Sequence, residues 1–141
     1  MDVQRALYLS YRGRMAGANP GWSEERLKDE VSKYVASPEG IPPHSTGGAV
    51  DLTLIDSDGN ELNMGTRVNA DPATTRNATF TAAPNIDAAA QANRLFLVRA
   101  MTTARFVNYP TEWWHWSFGD QYWAFVSGHP FAIFGRSPVQ P

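Results

Sequence analysis

The sequence predicts an α+β domain in which helices pack on one face of a mostly antiparallel sheet, and three observations carry that prediction. Apolar residues recur at helical spacing near the N-terminus and again between residues 87 and 104. Runs rich in β-formers cluster at 49–64 and at 105–126. Turn signals separate these runs, and helices and hairpins are segregated rather than alternating, which marks α+β organisation. No internal repeat or second composition regime breaks the chain, so residues 1–141 are read as a single domain, long enough to bury one core.

Val3, Leu7 and Tyr11, with Ala6 and Met15 nearby, give a helix over residues 2–16 that ends before the glycines at 17–21. Ser23 suits the N-cap of a second helix, and Glu24 and Glu25 suit the positive end of its dipole. Leu27, Val31 and Tyr34 form its stripe, and it is expected to stop near Ala36. Three prolines and a glycine shape residues 37–45 into a loop. Ala49 to Ile55 reads as a strand, Asp58-Gly59 as a turn, and Glu61 to Met64 as the returning strand of a hairpin. Asn69 to Pro84 lacks a clear period and reads as a long surface loop beside a binding site. Asp87 to Ala104 reads as a helix, with Ala90, Leu97 and Met101 near one face. Strands are expected at Arg105 to Tyr109, Thr111 to Phe118 and, after a Gly119-Asp120 turn, Gln121 to Val126.

Composition removes several functions. The apolar fraction is 43% and the charged fraction 18%, values of a folded globular chain. The net charge of −2 has no basic stripe, so no nucleic-acid partner is expected. No apolar run approaches the ~18 residues of a membrane span. The N-terminus lacks the basic start and apolar stretch of a signal peptide, so a cytoplasmic location is expected. With no cysteine, a metal site must draw on His, Asp or Glu, a donor set typical of catalytic sites with an open position.

The chain has three histidines. His44 leads the segment HSTGGAVD, in which Gly47 and Gly48 permit a tight turn before Asp51 on the following strand. Asp51 lies between Val50 and Leu52, so its carboxylate needs a partner, and a metal ion would supply one. Glu112 and His115 stand three apart in EWWH, a spacing that puts them on opposite faces of a regular strand. They share a site only if the chain bends near Trp113. In isolation each residue has a plainer reading: a structural loop histidine, a capping aspartate, a solvated glutamate. Trp113, Trp114, Trp116 and Trp123 are expected mostly in the core, and His129 in a loop.

The stretches HSTGGAVDLTL, MGT and NYPTEWWHWSFGDQYWAF resemble the VanX-type D-alanyl-D-alanine dipeptidases, zinc D,D-peptidases that share a fold with the hedgehog domain. The likeness runs from about Val3 to Phe125. It implies one zinc per chain held by His44, Asp51 and His115, with Glu112 as catalytic base and a small D-amino-acid dipeptide as substrate. It also implies substrate contacts at Asn69, Asp71 and Trp114. Three departures from the pattern stand out. Pro42 replaces the serine two before the first histidine. Asn69 stands where many relatives carry the acidic residue that holds the substrate's amino terminus, and Asp71 is the nearby substitute. The Y-R-P segment with a transition-state-binding arginine would precede Val3-Gln4, and Tyr11-Arg12 is not that segment. The resemblance therefore implies an N-terminally truncated domain that binds zinc but catalyses poorly, unless Arg67 or Arg94 has taken over. Its alternatives are a D,D-carboxypeptidase or endopeptidase acting on peptidoglycan stem peptides, and a catalytically silent zinc-binding domain that binds peptides.

Overall fold

The structure is a computed structural model that describes residues 3–32 and 41–137. Helix α1 spans Val3–Ala18 and α2 spans Glu24–Ser32. A 3-10 turn at Pro43–Thr46 leads into strand β1, Ala49–Asp51. After the long loop come α3, Ala88–Thr103, strands β2, Val107–Tyr109, and β3, Glu112–Ser117, and finally α4, Gln121–Ser127. The three strands form one antiparallel sheet in the order β1-β3-β2, with β3, which carries Glu112 and His115, in the middle. The fold is α+β, as the sequence predicts. No helix of the described residues is long and apolar enough to cross a membrane.

Ser23 does cap α2: its Oγ accepts from Arg26 N and its carbonyl from Leu27 N. The expected end of this helix near Ala36, the Tyr34 position of its stripe and the first half of the 37–45 loop lie outside the described residues. Leu27 and Val31 bury against Tyr8, with Tyr11, Met15, Ala16 and Trp22 around them, so α1 and α2 make an apolar cluster of their own. The main core lies elsewhere. Met64, Leu97, Trp113, Trp114 and Trp116 form it, flanked by Leu52, Leu54, Val98, Met101 and Phe106, and this places α3 on the sheet. Asp87 starts α3 by accepting from Ala90 N at 2.8 Å.

Two expectations need correction. Residues 121–126 are helical, not a strand. Tyr122, Trp123, Phe125 and Val126 read as β-formers, but Asp120 is an N-cap whose Oδ1 accepts from Trp123 N at 2.8 Å. Gly128, at φ 69°, closes the other end. The Trp123 indole then stacks on His129 at 4.3 Å, which gives that histidine its loop role. The 49–64 hairpin is also much reduced. Its turn forms around Asp56, whose Oδ1 accepts from Asp58 N and Asn60 N. Beyond Asp51 the ladder shrinks to the bridge between Ile55 and Glu61, and past it the Asn63 side chain bonds Asp87 and the Gly65 amide.

Candidate metal centre

Asp51 and His115 are direct partners in the β1–β3 register, and opposed residues in antiparallel strands hold their Cβ atoms about 4.5–5.5 Å apart. His115 Nδ1 lies 3.0 Å from Asp51 Oδ1. His44 comes from the 3-10 turn and places Nε2 3.4 Å from the same oxygen. The two rings meet edge to face at 4.7 Å. The geometry between them depends on the glycines. Gly47 ends the turn at φ 73°, a left-handed conformation that costs glycine little. Gly48 lies so close to the next segment that a Cβ there would sit 2.5 Å from the Phe118 carbonyl oxygen.

These residues fit a metal ion. One ligand atom from each of the three lies within 4.8 Å of the others, and donors about 2.0–2.2 Å from one tetrahedral ion sit about 3.3–3.6 Å apart. The histidines are also held from behind. A carbonyl can only accept, so His44 Nδ1 donates to Ala49 O at 3.2 Å, which turns Nε2 toward Asp51. His115 Nε2 approaches the Ser117 hydroxyl at 3.5 Å while Nδ1 faces inward. Such outer partners fix ring orientation at metal-ligating histidines. Burial opposes the Asp51 charge, but hydrogen bonds from His115 and His44 outweigh it and hold the carboxyl well below the usual carboxylate range. The His44 pKa is raised, chiefly by its hydrogen bond with Asp51.

Glu112 lines the same cavity as the three. Burial pushes its pKa up to about 6, partly offset by His115 and reinforced by the Asp51 charge. The bend that the three-residue spacing demands is present. Asn108 pairs with Trp116, yet Tyr109 pairs with Glu112, so the β2–β3 register slips across Trp113, Trp114 and His115. Glu112 and His115 thereby both line one cavity. Trp113 Nε1 donates to Thr66 Oγ1 at 2.8 Å, which ties the MGT segment to the EWWH segment.

The cavity has a volume of about 940 Å³. Asn69, Asp71 and Trp114 line it, as do Arg67, Tyr109 and Tyr122. The long loop does border the site through residues 69–75, while Ala78 and Phe80 face Arg94 instead. Asp71 Oδ1 also shapes its own loop by accepting from Ala73 N and Thr74 N. The Trp114 indole nitrogen is buried with no partner at hydrogen-bond geometry among the described residues, though its N–H weakly favours the Glu112 carboxylate. Arg94 is not available to a ligand there: Nε, Nη1 and Nη2 are spent on the carbonyls of Met64, Phe80 and Ala78. Arg67 remains, joined by Arg14 of α1, which the sequence did not single out.

A family described as D-ala-D-ala dipeptidase matches residues 12–132. The chain is similar to a D-alanyl-D-alanine dipeptidase of Synechocystis sp., 39% identical over 130 residues that cover 80% of this chain and 53% of that protein. It is also similar to a D-alanyl-D-alanine dipeptidase of Escherichia coli, 39% identical over 134 residues covering 89% of this chain and 65% of the relative. The chain thus spans about half to two thirds of the length of these relatives. On that match, which contains the whole His44-Asp51-His115 group, the chain belongs to the D-ala-D-ala dipeptidase family.

Proposed function

We propose that this chain is a zinc-dependent peptidase domain that hydrolyses D-Ala-D-Ala or a closely related D-amino-acid dipeptide. His44, Asp51 and His115 are its metal ligands and Glu112 its general base. The observation that carries the reading is the convergence of a His/Asp/His donor set and a half-buried, hard-to-ionise glutamate on one cavity. The names of the 39%-identical relatives support the substrate class.

Zinc, when bound, supplies a Lewis acid that polarises the scissile carbonyl and lowers the pKa of a coordinated water from about 15.7 toward about 7. Ionised Asp51 and the inward-facing His44 Nε2 and His115 Nδ1 hold the ion. Glu112 accepts the proton of the attacking water and then delivers it to the leaving amine nitrogen. Burial raises its carboxyl above the usual carboxylate range, which favours the uptake of that proton. Trp114 and Tyr109 wall the reacting bond from solvent. Asn69 and Asp71 receive the substrate's amino end, and Arg67, which lines the same cavity, meets negative charge.

A cavity of about 940 Å³ is at the upper end of the roughly 300–1,000 Å³ usual for small-molecule sites. That size favours, as a second reading, a D,D-carboxypeptidase acting on longer stem peptides. Release of D-alanine from D-Ala-D-Ala and from a pentapeptide ending in D-Ala-D-Ala separates the two. The first reading expects turnover of the dipeptide that stops with chelator and returns with added zinc. Hydrolysis of the pentapeptide alone would favour the second, and chelator-insensitive hydrolysis would refute both.

A further inference from the structure

We propose that Asn108 is the positioning residue that makes the Glu112–His115 pair usable, by holding the backbone of β3 in its irregular form. This rests on the reading of Glu112 as base and His115 as ligand. A run of four strand residues normally sends its first and fourth side chains to opposite faces. Bringing both to one cavity breaks the ladder, and a broken ladder leaves carbonyls that need other donors.

Each carbonyl of Glu112-Trp113-Trp114-His115 has one. Asn108 Nδ2 donates to Glu112 O at 3.1 Å and to His115 O at 3.0 Å. Trp116 Nε1 donates to Trp113 O at 3.2 Å. Leu52 N donates to Trp114 O at 3.1 Å. A single amide group therefore clamps the two carbonyls that belong to the two functional residues. Its orientation is not free. The Thr81 hydroxyl donates to Asn108 Oδ1, which leaves the NH₂ end pointing at the carbonyls. The Asn108 backbone is pinned in turn, because the Tyr122 hydroxyl donates to its carbonyl at 3.1 Å. Asn108 itself touches neither reacting atoms nor metal, so it acts through Glu112 and His115.

The test compares Asn108→Ala with the full wild-type chain and with Asp87→Ala, a control that weakens the α3 N-cap away from the cavity. Zinc affinity by competition with a chromophoric chelator, kcat and KM for D-Ala-D-Ala, and the melting midpoint are read for each. Outer positioning groups at metal sites typically cost about 10–100-fold when removed. Asn108→Ala is expected to lose about that factor in zinc affinity and in kcat, with KM within about twofold. Asp87→Ala is expected to move only the melting midpoint. Thr81→Val removes just the orienting hydroxyl and should shift affinity and kcat in the same direction by less, which keeps the proposal testable if Asn108→Ala fails to fold. Folded Asn108→Ala or Thr81→Val proteins with wild-type zinc affinity and kcat would overturn it. A wild-type chain that binds zinc but cleaves no peptide would refute the proposed function while the zinc-affinity loss still decides the role of Asn108. A wild-type chain that binds no zinc would overturn both.

Discussion

Glu112→Gln should leave zinc binding intact and reduce kcat by about 10²–10⁴-fold, the range general-base catalysis contributes. The amide has nearly the volume of the carboxylate, so the half-buried site keeps its packing. What changes is that an amide cannot accept a proton from water at neutral pH. Glu112 is also not one of the three donors that converge, so the ion should stay. KM should move little, because the loss falls on the transition state rather than on substrate binding. Steady-state kinetics on D-Ala-D-Ala together with metal analysis of the same preparation check this. Near-normal turnover would remove Glu112 from the base role. Loss of the ion would show that Glu112 belongs to the coordination sphere instead.

Arg94→Met should be the most destabilising single change described here. Arg94 is 2% exposed. Its guanidinium satisfies three carbonyls on the Met64 and 78–80 segments and lies over the Trp113 ring at 5.4 Å. Burial lowers its pKa to about 10, still well above neutrality, so it stays charged. Methionine fills much of the volume but supplies no donor. Each buried carbonyl left unpaired costs about 1–3 kcal/mol, so a total loss of at least about 3 kcal/mol is expected. Against the roughly 5–15 kcal/mol of a typical domain that is a large fraction. At about 2–4 °C per kcal/mol for a domain near this size, the melting midpoint should fall by at least about 6–12 °C. Arg94→Lys should recover only part, since one ammonium cannot span three carbonyls on two segments. A Met variant melting within about 2 °C of wild type would contradict the assigned role.

The same residue shows where sequence reading reaches its limit. Within α3, Arg94 reads as an ordinary surface cation of a helix, and Arg67 and Arg94 look equally available to a substrate. Only the fold reveals that one is consumed by carbonyls 14, 16 and 30 positions away. Local signals were legible. Ser23 and Asp87 announce their helices, and Gly47-Gly48 announces the turn that carries His44 toward Asp51. Asp120 was equally visible, but read as a turn residue it let the aromatic run 121–126 pass for a strand. The cap and the Gly128 stop override β-propensity in so short a segment.

The candidate site divides along the same line. His44, Asp51, Glu112 and His115 could be picked out because each pair is local and matches a known pattern. The way Glu112 and His115 reach one cavity could not, because the clamp comes from Asn108 and its orientation from Thr81, 27 residues before it. Nor do spacing rules point to Ala49 O or Ser117 as the outer partners of the histidines, although both contacts are local in sequence, because they depend on ring orientation.

The most direct test of the central claim is zinc titration of metal-free protein, followed by calorimetry or a competing chelator. The account predicts one zinc per wild-type chain, unchanged stoichiometry in Glu112→Gln, and loss of tight binding in each of His44→Ala, Asp51→Ala and His115→Ala. Wild-type protein that takes up no zinc, or three ligand variants that each still bind one ion as tightly as wild type, would contradict it.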